Sequence, residues 1–242
     1  MLESSPKNGE KSQKFPVDPK TKLFINNQKL LGIMRLRTAV MPLLVLNIVF
    51  FILQWVLKDY GFTEALWLMK GDAFARPWTL LTSMFLHGGI GHILFNMYVL
   101  AMFGPLLEQR IGAKRFLFVY LMSGILASFV SSFIYDKALG ASGAIMGMIG
   151  VIIILLPNLR VLFFLIIPMP LWIAGIVIAA IDFFGMFMPS GIANAAHLVG
   201  MGCGLGYGIY LKRIKRRFYK KFHSNRHMGN DEVNEYLKSG RI

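Results

Sequence analysis

The sequence predicts an all-α polytopic membrane protein, a bundle of six transmembrane helices. Three observations lead there. The chain of 242 residues is 55% hydrophobic and only 16% charged, with a mean hydropathy of +0.56, whereas soluble domains carry about a quarter charged residues. Six apolar runs, at 38–57, 90–107, 115–135, 141–156, 169–187 and 193–211, approach the roughly 20 residues that a spanning helix needs. Lys and Arg cluster in alternate connections between those runs, as cytoplasmic loops do.

Residues 1–36 are polar, basic and rich in Lys, Asn and Pro. They are expected to form an N-terminal cytoplasmic tail, disordered over 1–24, with an interfacial helix at 25–36. The first apolar run starts far from residue 1, unlike that of a cleavable signal peptide. Basic residues then recur at Arg35 and Arg37, at Arg110, Lys114 and Arg115 after span two, at Arg160 after span four, and in "KRIKRRFYKK" (212–221) after span six. Six spans put all of these on one side, with both termini cytoplasmic. The opposite side receives the 58–89 loop, Asp136, Lys137 and the 188–192 turn. Span four is short, and "LRVLFFLIIPMP" (159–170) either lengthens it or lies at the interface. Pro157, Pro168 and Pro170 interrupt the helical register there. The segments are thus 1–36 (tail), 37–211 (six-helix membrane domain) and 212–242 (basic cytoplasmic tail), with a short helix expected at 231–242.

The net charge of +14 fits cytoplasmic anchoring. No nucleic-acid motif accompanies it, so the expected partner is the lipid bilayer and not a nucleic acid. The lone Cys203 permits neither a disulfide framework nor a CxxC metal pattern. No internal repeat supports an inverted-repeat transporter. With short tails and no organelle-targeting presequence, the expected location is a cell (inner or plasma) membrane.

The orientation fixes depth. Spans two, four and six all run from outside to inside. His92 and Asn96 near the start of span two, Ser142 at the start of span four and His197 near the start of span six therefore share one level in the outer part of the membrane. Intramembrane ionisable groups are functional candidates. His92 and Asn96, four apart, share a helix face. Gly143, Gly147 and Gly150 form a small-residue stripe on span four, and His197 continues a stripe of Gly200, Gly204 and Gly208 on span six. Such stripes let helices approach closely in lipid, and if these two meet, Ser142 and His197 come within reach.

A serine in a glycine-rich helix is more often packing than chemistry, and a buried histidine is more often structural. The convergence at one depth outweighs those readings. The set suits acyl transfer. A neutral imidazole takes the proton of a serine hydroxyl, and donors from Asn96, His92 and the Ser142 backbone surround the oxyanion. No acid is obviously placed to orient His197, so the economical reading is a Ser–His dyad. Asp182, near the outer end of span five, is expected to snorkel or to hydrogen-bond within the bundle, with a catalytic role the less favoured alternative. Glu108 and Arg110 are read as capping and loop contacts.

These residues lie in motifs that resemble those of the rhomboid family of intramembrane serine proteases. "HGGIGHILFNM" (87–97) is similar to its H-x4-H-x3-N motif, "GASGA" (140–144) to its GxSG motif and "AHLVGMGCG" (196–204) to its A-H-x2-G-x3-G motif. "LEQRIGAKRFLFVYLMSG" (107–124) and "RPWTLLTSMFLH" (76–87) resemble its connection between helices two and three and its external loop. The resemblance implies a rhomboid-like bundle, with Ser142 as nucleophile, His197 as general base, and His92 and Asn96 as oxyanion residues. It implies supporting roles for Gly140 and Gly143, and a structural His87 held by a loop hydrogen bond. Many members carry Tyr or Phe four residues after the serine. Here Met146 stands there, and its thioether can still pack on an aromatic ring. The implied activity is endopeptidase cleavage in or next to transmembrane segments of other membrane proteins, without metal or cofactor. Span five, flanked by Pro168, Pro170 and Pro189, is a candidate gate. The alternatives are an inactive relative that binds transmembrane segments, and a metal or transport protein using His87, His92 and His197.

Overall fold

The computed structural model describes residues 38–163, 166–188 and 191–222, with side chains through Arg217. The features expected over 1–36 and 231–242, and Pro189, lie outside the described residues. All six apolar runs are helical: α1 (Val40–Val56), α2 (Ile90–Ile111), α3 (Ala113–Ile134), α4 (Ser142–Leu155), α5 (Leu171–Gly185) and α6 (Asn194–Phe222). Among the described residues, α2 and α3 are long and apolar enough to cross a membrane, at 22 residues each, or ~33 Å. The apolar helices α1, α4 and α5 are shorter, at 17, 14 and 15 residues. At ~21 Å, α4 falls short of a hydrocarbon core of about 30 Å. α6 has 29 residues and runs on into the basic "KRIKRRFYKK" segment.

The 159–170 stretch does not lengthen α4. It forms an antiparallel hairpin of β3 (Arg160–Phe163) and β4 (Ile167–Pro170), with Arg160 opposite Pro170 and Phe163 opposite Ile167. Pro168 and Pro170 lack the N–H that a helix would need, and a short hairpin tolerates them at its edge.

Two ties join parts distant in sequence. The Glu108 carboxylate near the end of α2 accepts the backbone N–H groups of Ala39 (2.8 Å) and Val40 (3.3 Å). It thereby satisfies donors that the first turn of α1 cannot satisfy itself. At the other end, β1 (Leu68–Met69) pairs antiparallel with β2 (Lys137–Ala138), joining the α1–α2 connection to the α3–α4 connection. The α1–α2 connection is a chain of short turns organised by Arg76. Its guanidinium bonds Asp72 (2.6 and 3.0 Å) and the Glu64 carbonyl (3.0 Å). Burial raises the Asp72 carboxyl, but the Arg76 and Met69 hydrogen bonds outweigh it and hold the group below its ordinary range.

The centre of the fold is the seam between α4 and α6. A Cβ on Gly200 would overlap the Gly143 carbonyl, and one on Gly204 the Gly147 carbonyl. One on Gly150 would lie 2.5 Å from the Met201 carbonyl oxygen. The two backbones touch without intervening side chains, as glycine stripes permit. α3 closes the other flank of α4: a Cβ on Gly147 would overlap Ser123, and one on Gly143 would lie 2.6 Å from Ala127 Cβ. Phe116, Tyr120, Leu100, Met148, Val151 and Ile152 fill the interior. α5 is attached differently. It buries only Leu171, Ala174, Gly175 and Asp182, and exposes Trp172, Ile176, Ile181, Phe183 and Phe184.

Candidate active site

Ser142 is the first residue of α4, reached through Gly140 at φ +127°. That backbone conformation disfavours any residue with a Cβ. A second constraint selects glycine there too: a Cβ would lie 2.7 Å from the His92 ring. The Gly140 N–H is anchored on the Ser83 carbonyl (2.9 Å). His197 sits in the first turn of α6, whose entry is held by an Ala195 N–H bond to the Tyr135 hydroxyl (2.9 Å).

The seam brings these residues together. His197 Nε2 lies 2.9 Å from Ser142 Oγ. The other ring nitrogen, Nδ1, lies 2.9 Å from Asp182 Oδ1. A carboxylate only accepts, so Nδ1 carries the proton in the neutral ring. Nε2 is then free to accept the serine proton. The expectation that no acid orients His197 is therefore overturned. Asp182 is 5% exposed and hydrogen-bonds to His197, so it does not snorkel.

Gly88 N–H donates to His92 Nδ1 (3.3 Å), which leaves the neutral ring's proton on Nε2, at the edge facing Gly140. Asn96 donates one amide hydrogen back to the His92 carbonyl (2.8 Å). Its NH2 group has a second to offer. The first-turn amides of α4 have no intrahelical acceptor and lie at the positive end of the helix dipole. Ser142, His197, His92, Asn96 and Asp182 line one cavity of about 1300 Å³. Met146, one turn beyond Ser142, lines it as well. A Cβ on Gly143 would meet Ala127 and approach the Ala196 carbonyl, so that glycine serves the packing that sets the Ser142–His197 distance.

His87 is held through its main chain by Gln54 of α1, and not by a hydrogen bond within the loop. Its N–H donates to Gln54 Oε1 (2.8 Å), and its carbonyl accepts from Gln54 Nε2 (3.3 Å). The ring is 3% exposed and lies 5.1 Å from that of His92. Burial, aided by the nearby His92, pushes the His87 imidazole down to about 4. Among the described residues, no group of three His, Cys, Asp or Glu side chains is arranged to hold a metal ion.

Asp182 is the residue that sequence reasoning underweighted. An acid in an apolar helix is itself a signal, but which way it faces depends on the rotation of α5 against α6.

A family model described as the Rhomboid domain matches residues 75–214. The chain is 30% identical over 188 residues to Rhomboid protein 1, mitochondrial, of Saccharomyces cerevisiae, covering 73% of this chain and 54% of that protein. It is 36% identical over 126 residues to Rhomboid protease GluP of Bacillus subtilis, covering 51% and 24%. It is 35% identical over 141 residues to the Presenilin-associated rhomboid-like protein, mitochondrial, of Bos taurus, covering 54% and 37%. The chain thus matches about half or less of the length of these relatives. The family match takes in Ser142, His197, His92 and Asn96 together with α2, α4 and the greater part of α6, and the chain belongs to the rhomboid family, a membrane-protein family whose members include serine proteases.

Proposed function

We propose that this chain is an intramembrane serine endopeptidase that cleaves other membrane proteins in or beside their transmembrane segments. The observation that carries the reading is the 2.9 Å contact between Ser142 Oγ and His197 Nε2 inside a cavity lined by His92 and Asn96. Ser142 attacks the scissile carbonyl carbon as His197 Nε2 takes its proton. The new C–O bond leaves a negative oxygen, for which His92 Nε2–H, the Asn96 amide and the Ser142 backbone N–H are donors. Collapse breaks the C–N bond, and the proton on Nε2 passes to the leaving amine. Water then attacks the acyl-enzyme, again giving a proton to His197, and Ser142 is regenerated. Gly140, Gly143, His87 and Met146 shape the site without reacting, and no step requires a metal or cofactor.

The membrane arrangement belongs to the same proposal. Residues 37–211 form a six-span domain between cytoplasmic tails at 1–36 and 212–242, in a cell membrane. The Glu108 tie to α1 and the β1–β2 pairing support it, since each joins segments that six spans put on the same side. The mitochondrial names of two relatives belong to those proteins, and fractionation of the native host decides the membrane.

The test is cleavage of a transmembrane reporter by purified wild type, Ser142→Ala and His197→Ala, with and without chelator, beside fluorophosphonate labelling. Wild type is expected to cut and to label at Ser142. Both variants should lose about 10³-fold or more, and chelator should change nothing. A wild type that binds transmembrane segments but neither cuts nor labels would instead be an inactive family member. Loss of cleavage on chelation would point to metal chemistry.

A further inference from the structure

We propose that Asp182 is the positioning acid of this site, so that the working unit is Ser142–His197–Asp182 and not a dyad; the inference rests on the protease reading above. Two distances carry it. The two nitrogens of one ring lie 2.9 Å from a hydroxyl and 2.9 Å from a carboxylate, with the ring spanning the gap between them. The carboxylate is 5% exposed on an otherwise apolar helix. A lone charge there is costly unless something compensates it. Its Oδ1 bonds His197, while its buried Oδ2 has no hydrogen-bond partner among the described residues. A residue serving only to tie α5 to α6 would be cheaper as a neutral amide or an apolar side chain. A half-satisfied buried carboxylate is what remains when charge itself is needed.

The need is clear in the proton transfer. When Ser142 attacks, its proton moves to His197 Nε2 and the ring becomes a cation in an apolar surround. The Nδ1–H stays on the ring, hydrogen-bonded to Asp182, which is not itself protonated. The carboxylate holds the tautomer in which Nε2 accepts, and offsets the transient cation. The charged or titratable groups that line the cavity with His197, among the described residues, are His87, His92, Tyr98, Lys137 and Asp182. Asp182 is the one acid among them.

The acid is on α5 and the base on α6. α5 buries few residues, and Asp182 is the only polar one. The unit is therefore complete only while α5 is seated. An outward displacement of α5 removes the acid from a serine and histidine that the glycine seam keeps together.

The experiment uses the full chain in detergent, comparing wild type, Asp182→Asn, Asp182→Glu and Ser142→Ala. Fluorophosphonate labelling rates against pH, reporter kcat and KM, and thermal unfolding are measured together. Asp182→Asn is expected to fold and to keep KM within about twofold, while kcat and labelling fall about ten- to a hundredfold. The pH profile of its labelling should differ from that of wild type, because the carboxylate no longer sits on the base. Asp182→Glu should recover part of the rate. In Ser142→Ala, a downfield Nδ1 proton resonance should persist. Labelling of Asp182→Asn at the wild-type rate with an unmoved profile, beside dead Ser142→Ala and His197→Ala, overturns the assignment and leaves the protease reading standing. Losses that merely track unfolding, with an unmoved profile, make Asp182 a structural tie and overturn it too. If Asp182→Asn fails to fold, the Ser142→Ala resonance decides, and its absence counts against the assignment. A wild type that neither cuts nor labels removes the protease reading, and the positioning role falls with it.

Discussion

α6 and α5 each bring one residue to Ser142, His197 directly and Asp182 through that histidine, yet they are attached to α4 in opposite ways. α6 lies backbone against backbone on α4 through Gly143, Gly147, Gly200 and Gly204. α5 buries four residues, and its closest glycine, Gly175, faces the flexible end of Ile153. The difference separates two tasks. On the protease reading proposed above, nucleophile and base need a constant separation, and they share the stiff contact. The helix bearing Asp182 borders the cavity and is free of that constraint, which on the same reading suits a wall that admits substrate.

Adding methyl groups to the two contacts should break them unequally. Gly204→Val forces α4 and α6 apart at the Gly147 carbonyl. It is expected to cost about 3 kcal/mol or more and to abolish labelling of Ser142, read by thermal unfolding and fluorophosphonate. Near-wild-type stability would mean that the seam is not a backbone contact.

Acid should loosen the cavity wall while sparing the seam, which carries no His, Asp or Glu between its glycines. The unfolded His87 imidazole binds a proton below about 6.5, whereas the folded one does not until about 4. Between those values the unfolded state holds more protons, so stability falls as pH is lowered through that window, by on the order of 2–3 kcal/mol. His87→Gln should flatten this part of the pH–stability curve, and an unchanged slope would acquit His87.

Gly140→Ala strains a backbone at φ +127° and presses on the His92 ring. Destabilisation of about 1–2 kcal/mol is expected, with labelling slowed about tenfold because the oxyanion donor is displaced. Labelling at the wild-type rate would argue against His92 as that donor. Glu108→Ala should cost about 1 kcal/mol through the lost cap on α1 and leave the labelling rate per folded molecule unchanged. Gly175→Ala should be smallest, within about 1 kcal/mol, since Ile153 can turn aside and alanine favours the helix. If it costs as much as the seam substitution, the contrast between α5 and α6 is wrong.

Legibility in the sequence follows the same division. The seam was readable because glycines at intervals of three and four on two helices have few other uses in lipid. The meeting of Ser142, His197, His92 and Asn96 in one cavity was expected from charge placement and helix direction. Orientation about an axis was not readable, and that is why Asp182 was expected to snorkel as readily as to bond. The 159–170 stretch showed its prolines but not its hairpin, because an apolar run of β-branched and aromatic residues reads equally as strand or helix. His87 was expected to be held through a loop hydrogen bond, and the bonds belong to its backbone, to which the side chain's identity is no guide.

The glycine seam has one more consequence. A distance maintained by side chains can drift as rotamers exchange. A distance maintained by two main chains in contact is inherited from bond lengths and helical pitch, like a gauge block with no adjusting screw. The alignment of Ser142 with His197 is therefore not tunable by degrees at these four glycines. Variation there is all or nothing, and any gradual adaptation of rate or selectivity has to arise elsewhere, on the walls of the cavity and on the face of α5.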